Sequence, residues 1–364
     1  MNLLDEKIYG NSLNLIPGLG PVNLNRLRNH FGGFVKAWQG EEIDFQQAGL
    51  QPQAISQIIA NKSKINPEQA FAEVTRRQIE IILPEENSYP QLLKEIIPAP
   101  PILYIRGKKE FLKSTSIAVV GTRKMTSYGQ MVCEDICSGL TTNGITIVSG
   151  LAFGIDAIAL DTAVKNSGPA IAVLASDLDN FSISPRSNLT LAQKIIENGC
   201  LVSEYALGNG VQKGNFIVRN RIISGLSLGT LVIEADASSG ALITANHALE
   251  QNRGVFAIPG SIYSQVSRGT NQLIKQGAKL VNSVYDVLED LNLDVSNLPD
   301  NEEMIATNEI EVQILQFLTK EPVHIDDLIK TVKLPPSQIN ANLTILEMKG
   351  RIKNLGGAKY VKIR

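Results

Sequence analysis

The chain has 364 residues, 43% hydrophobic and 19% charged, with a net charge of −2. That balance excludes a disordered tail and a uniformly basic nucleic-acid coat, but it leaves room for a local basic groove. Three cysteines (Cys133, Cys137, Cys200) and three scattered histidines, with no C-x-x-C pair, supply neither a disulfide framework nor a structural zinc site.

Residues 1–114 read as helices and loops. The opening MNLLDEK lacks the basic and apolar regions of a signal peptide. No run reaches the ~18 apolar residues of a membrane span. A cytoplasmic protein is therefore expected, and its thiols suit a reducing compartment. Tyr89–Leu93 and Pro98–Leu103 read as an extended connector stiffened by proline.

Residues 115–290 alternate short Val- and Ile-rich runs with helix-length segments. Strands are expected at Ile117–Val120, Ile145–Val148, Ala170–Leu174, Leu201–Val202, Thr230–Ile233 and Val255–Ile258. Helices are expected at Gly129–Thr142, Ile155–Val164, Leu189–Asn198, Phe216–Ser227 and Ala241–Gln251. Near-continuous apolar runs suit strands buried on both faces of a parallel sheet, and the alternation argues for a doubly wound α/β fold. Residues 291–308 read as a linker, polar and acidic from Asp294 to Asn308, and residues 309–364 as a short α-plus-β unit.

Ligands of such sheets bind outside the carboxyl ends of the strands. The ends here run into Gly121-Thr122-Arg123, Ser149-Gly150, Glu234-Ala235 and Pro259-Gly260. Glycine turns opening into helices suit phosphate, and they also make ordinary tight βα turns. No G-x-x-x-x-G-K-[ST] occurs, and no G-x-G-x-x-G follows the first strand, so neither a P-loop nor a dinucleotide site is expected. From Tyr205 to Ile233 there is no acidic residue, while Lys213, Arg219 and Arg221 are present. On a helix, Phe216, Arg219 and Asn220 share one face. That pattern fits a single nucleic-acid strand, with phosphate on the cations and a base on the ring. It equally fits a core phenylalanine beside arginines paired to Glu204, Glu234 or Asp236.

The motifs together resemble the DNA-processing protein A (DprA/Smf) family. The matching segments are Ile117–Arg123, Ile147–Asp156, Phe216–Ser227, Glu234-Ala235 with Ser239–Ala245, Arg253–Gly260 and Gly269–Ala278. The resemblance implies a Rossmann-like, doubly wound, mostly parallel sheet. Leu15–Gly20, followed by Leu24 and Leu27, resembles the start of a helix-hairpin-helix in an N-terminal SAM-like helical domain. Residues 309–364 resemble a winged helix. Its helices would be Ile310–Leu318, Ile325–Val332 and Pro336–Lys349 and its wing Ile352–Ile363. The last 16 residues hold Lys349, Arg351, Lys353, Lys359, Lys362 and Arg364 and no acid, which fits DNA contact and a solvated wing equally.

The family implies single-stranded DNA binding and loading of the RecA recombinase in natural transformation and recombination. It also implies a homodimer, without catalytic residues, cofactor or metal. Carried over residue by residue, Arg123, the Ser149-Gly150 turn and Lys213 contact phosphate and Phe216 stacks a base, with Arg219 and Asn220 framing the pocket. The chain departs from the family pattern at Thr122, Leu160-Asp161, Ala175-Ser176-Asp177, Ile183-Ser184 and Ile217. Two other readings compete. In one, Gly229-Thr230 and Glu234 resemble part of the signature of a nucleoside-monophosphate phosphoribohydrolase of the lysine-decarboxylase-like group, with Asp156 and Glu234 as acid and base. In the other, the C-terminal unit serves a transcription factor.

Overall fold

A computed structural model describes residues 2–293, 309–348 and 351–363. The linker segment Asp294–Asn308 lies outside the described residues, as do Lys349 and Arg364. The chain divides into two compact units, Met1–Ser296 and Asn297–Arg364.

The first unit opens with six helices: α1 (Leu3–Asn14), α2 (Pro21–Phe31), α3 (Phe34–Gln39), α4 (Glu42–Gln47), α5 (Pro52–Lys62) and α6 (Pro67–Arg76). Proline opens α2, α5 and α6, where its missing N–H has no helical partner to lose. Then come β1 (Glu80–Ile82), the short α7 (Gln91–Lys94) and β2 (Leu103–Gly107). The alternating part follows: β3 (Ser116–Val120), α8 (Ser127–Thr142), β4 (Thr146–Ser149), α9 (Ile155–Lys165), β5 (Ala170–Val173) and α10 (Leu189–Asn198). It continues through β6 (Gly199–Ser203), α11 (Lys213–Gly225), β7 (Gly229–Val232), α12 (Gly240–Glu250), β8 (Gly254–Ala257), α13 (Arg268–Lys275), β9 (Lys279–Leu280) and α14 (Val284–Asp290).

These strands form one sheet in the order β1-β2-β6-β5-β4-β3-β7-β8-β9. The strands from β3 onward pair in parallel, while β2 runs antiparallel to both β6 and β1. The order reverses at β3, which lies between β4 and β7, and this reversal is the switch point where such sheets bind ligands. Strands β3 to β7 are buried along their whole length, which is why their sequences lack a polar alternate position.

Strands β1 and β2 differ from the sequence reading, which gave residues 1–114 to helices and a connector. Their two runs extend the sheet beyond β6, with Tyr104 opposite Ser203. Tyr104 is 1% exposed, and its hydroxyl donates to Asn11 Oδ1 at 2.9 Å while the Asn14 amide donates to it at 3.2 Å. The N-terminal helices and the sheet edge are thereby joined through hydrogen-bonded, buried polar groups.

The second unit holds α15 (Glu309–Phe317), β10 (Val323–His324), α16 (Ile325–Val332), α17 (Pro336–Met348), β11 (Ile352–Asn354) and β12 (Lys359–Lys362). Its antiparallel sheet has the order β10-β12-β11. Ile314, Leu318, Leu328, Ile339, Leu343 and Ile352 form its core, giving a winged helix with β11 and β12 as the wing. Among the described residues no helix is long and apolar enough to cross a membrane.

Candidate functional site

At the carboxyl edge of the sheet, three turns lock together. The Thr122 amide after β3 donates to Glu234 O after β7 at 2.7 Å. The Ile155 amide, at the start of α9, donates to Thr122 O at 3.2 Å. Gly154 permits this approach. Its φ is +76°, and a Cβ there would lie 2.3 Å from Thr122 O. The next residue of the β3 turn, Arg123, is exposed.

Helix α11 supplies the facing wall. Its first turn contains no acid, and its N-cap residue Gln212 makes no side-chain cap. The positive end of the helix dipole is therefore left open, and Lys213, the first helical residue, adds a full charge to it. A cation there disfavours the helix, a local conflict that marks functional positions. Phe216 is half-buried one turn on, with the Arg123 guanidinium 5.6 Å from its ring centroid. This cation–π contact joins the β3 turn to α11. An aromatic face, an exposed guanidinium and an exposed ammonium thus come together at the switch-point edge.

The other expected residues lie deeper. Arg219 is 4% exposed, and its guanidinium donates to Gly150 O at 2.8 Å and also to Val173 O. Its Nε donates to Asn220 Oδ1 at 3.2 Å. Asp156, 6% exposed, accepts from the Gly150 amide at 3.1 Å. Burial pushes the Asp156 carboxyl above the usual carboxylate range, while Arg219 pulls it back. Burial likewise lowers Arg219 to about 10, so it stays charged at neutral pH. A Cβ on Gly150 would come 2.5 Å from the Arg219 guanidinium, so a larger residue there would push that side chain out of place.

Both polar groups of Gly150 are thus engaged inside the protein. The fully buried Ser149 hydroxyl donates to Val119 O at 2.6 Å. Ser149, Gly150 and Arg219 brace the edge from below, with the Ser149 hydroxyl and both backbone groups of Gly150 taken up inside the protein. Asn220 Nδ2 donates to Gly240 O at 3.4 Å, tying α11 to the start of α12. Arg221 is 5% exposed and pairs with the Glu204 carboxylate, one of the partners its sequence context allowed. Burial raises the Glu204 carboxyl, and Arg221 opposes that shift.

Glu234 accepts from the Thr126 amide at 2.9 Å and from the Thr126 hydroxyl at 2.6 Å, holding the start of α8. Asp156 and Glu234 are therefore both engaged in binding together the turns of the edge. Among the described residues no three His, Cys, Asp or Glu side chains group as metal ligands. Cys133 and Cys137 are buried on α8 with their Sγ atoms 4.0 Å apart.

The Leu15–Gly20 turn borders a cavity of about 510 Å³ that reaches Tyr205, Gln212 and Asn215 beside the first turn of α11. In the second unit, Lys353, Lys359 and Lys362 lie on the wing strands. Sequence reasoning did not single out Phe153, in the turn after β4, or Phe181, in a short 3-10 helix after β5, which are 52% and 84% exposed. Neither sits in a periodic pattern or a charged run.

A family model described as DNA recombination-mediator protein A matches residues 80–292, and the DprA winged helix domain matches residues 301–358. Protein Smf of a Synechocystis species is 33% identical over 98% of each chain. DNA processing protein DprA of Streptococcus pneumoniae is 44% identical over 56% of this chain and 71% of its own. An X-ray structure of DprA from Streptococcus pneumoniae superposes with a TM-score of 0.69 at 32% identity, covering 80% of this chain and 99% of that one. The DNA processing protein A of Helicobacter pylori, whose structure concerns its single-stranded DNA binding mode, gives 0.54 at 30% identity over 59% and 96%.

Proposed function

Since the chain belongs to the DNA recombination-mediator protein A (DprA/Smf) family, we propose that it binds single-stranded DNA at the carboxyl edge of its sheet as a recombination mediator, without chemistry of its own. The observation that carries this reading is the Arg123–Phe216 pair beside Lys213. The ring stacks a base, and the two cations neutralise flanking phosphates and release their counterions. Buried Arg219 and Asp156 grip Gly150 by its carbonyl and its amide and fix the turns beneath them, so little ordering entropy is lost on binding.

Delivery of the strand to RecA in transformation and recombination, a cytoplasmic location and a homodimer complete the proposal, and the family resemblance supports all three. In a dimer, one strand spanning two such edges gains avidity without new contacts. The phosphoribohydrolase alternative is not favoured, because Asp156 and Glu234 are both occupied in holding turns.

Competition tests the reading. Labelled oligo-dT bound to the protein is expected to be displaced by unlabelled oligo-dT, and not by matched duplex or by AMP. Displacement by AMP together with its hydrolysis would overturn the proposal.

A further inference from the structure

A second arginine-over-phenylalanine pair occupies the same edge. The Arg186 guanidinium lies 5.8 Å from the centroid of the Phe181 ring, and Phe181 is 84% exposed. A large ring left that open covers no core and gains little from folding.

Its loop is nevertheless firmly held. The Asp177 carboxylate accepts from the amides of Asp179 at 2.9 Å and Gly208 at 3.0 Å. Ser176 Oγ donates to Ser182 O at 2.8 Å. The Asp179 carboxylate accepts from the Phe181 amide at 2.8 Å and pairs with Arg77. Asn180 Oδ1 accepts from Arg106 at 2.7 Å. At the far end of the loop, Asn188 Nδ2 donates to Leu151 O at 3.0 Å. The loop therefore runs from the end of β5 to the turn after β4, the turn that contains Gly150.

The cation beside the ring is left for an anion. Arg186 has no carboxylate partner among the described residues, and Arg106 keeps a buried Nε without a hydrogen-bond partner. Burial, and after it the neighbouring Arg77, lower Arg106, while Arg77 itself is paired with Asp179. An exposed ring whose position is fixed in advance, with the Arg186 guanidinium against it, has the features of a stacking platform for one base and its phosphate.

We propose that Phe181 and Arg186 form a second base-stacking subsite, which takes a further nucleotide of the strand held at Phe216. This inference rests on the single-strand reading and extends the path of that strand from the α11 turn to the loop after β5.

The test uses the full chain with a short strand of about two nucleotides of dT and a long one of about 20, of which only the long one can fill both stacking sites. Phe181→Ala is expected to weaken binding of the long strand about fivefold or more and leave the short strand unchanged. Phe181→Trp is expected to restore the long-strand affinity. Phe181 is exposed, so both variants should fold. Phe216→Ala should weaken both lengths. Unchanged binding of both lengths by Phe181→Ala, or an equal loss on both, overturns the subsite. Failure of the wild type to bind either strand overturns the single-strand reading and the subsite with it.

Discussion

Phe216 is half-buried beneath the Arg123 guanidinium, so an incoming base meets a ring whose orientation is already fixed. Removing it in Phe216→Ala is expected to cost about 1–3 kcal/mol of single-strand affinity, and Phe216→Trp is expected to keep most of it. A titration with labelled oligo-dT checks both. Arg219 carries the same charge as Arg123 and serves a different end, because its guanidinium donates to Gly150 O and Val173 O, while Asp156 holds the Gly150 amide. Asp156 gives this clasp a pH signature. Burial raises its carboxyl, so the folded chain binds that proton more tightly than the unfolded chain. Such a group stabilises the fold fully below its unfolded pKa of about 3.9, and the contribution is lost as pH rises through the folded value. Relative to Asp156→Asn, the wild-type melting temperature should therefore fall as pH rises above about 4, and then level off. A wild-type advantage that grows across this window contradicts the assignment.

At the scale of elements, α11 contains the sharpest test. Its first residue is a lysine at the positive end of a helix with no acid in its first turn. Lys213→Glu reverses that conflict, so stability should hold or rise by about 0.3–1 kcal/mol while single-strand binding falls. Thermal melting and binding measured on the same variant separate the two effects, and a parallel loss of both would make Lys213 structural. The spacing of Lys213, Phe216 and Arg219 was legible in the sequence as a basic-aromatic run. The inward turn of Arg219 was not, because periodicity gives a residue's face and not its depth. The internal engagement of Gly150 was hidden for a related reason. It depends on Gly154 at φ +76° bringing α9 back under the turn, and on an arginine 69 residues away in sequence.

On the scale of the whole molecule, strands β3 to β8 were legible because parallel strands buried on both faces leave short apolar runs bounded by turns. Strands β1 and β2 were not. β1 has three residues, and β2 follows the proline-rich Pro98–Pro101, which reads as a connector. The resemblance supplied the winged helix, whose three helices and wing strands the second unit contains. The Phe181 loop left no trace in the pattern, since its order comes from single side-chain hydrogen bonds across the sheet edge.

The central claim is that a basic-aromatic edge binds the DNA backbone and bases of a single strand. It is tested most directly by oligo-dT affinity across a salt series, for the wild type and the Arg123→Ala/Lys213→Ala double variant. The wild type is expected to lose affinity steeply as salt rises and to prefer the single strand over its matched duplex. In the double variant the log–log slope is expected to be shallower by about 1.4, the share of two phosphate contacts on a single strand. A double variant with the wild-type slope and affinity would contradict the account.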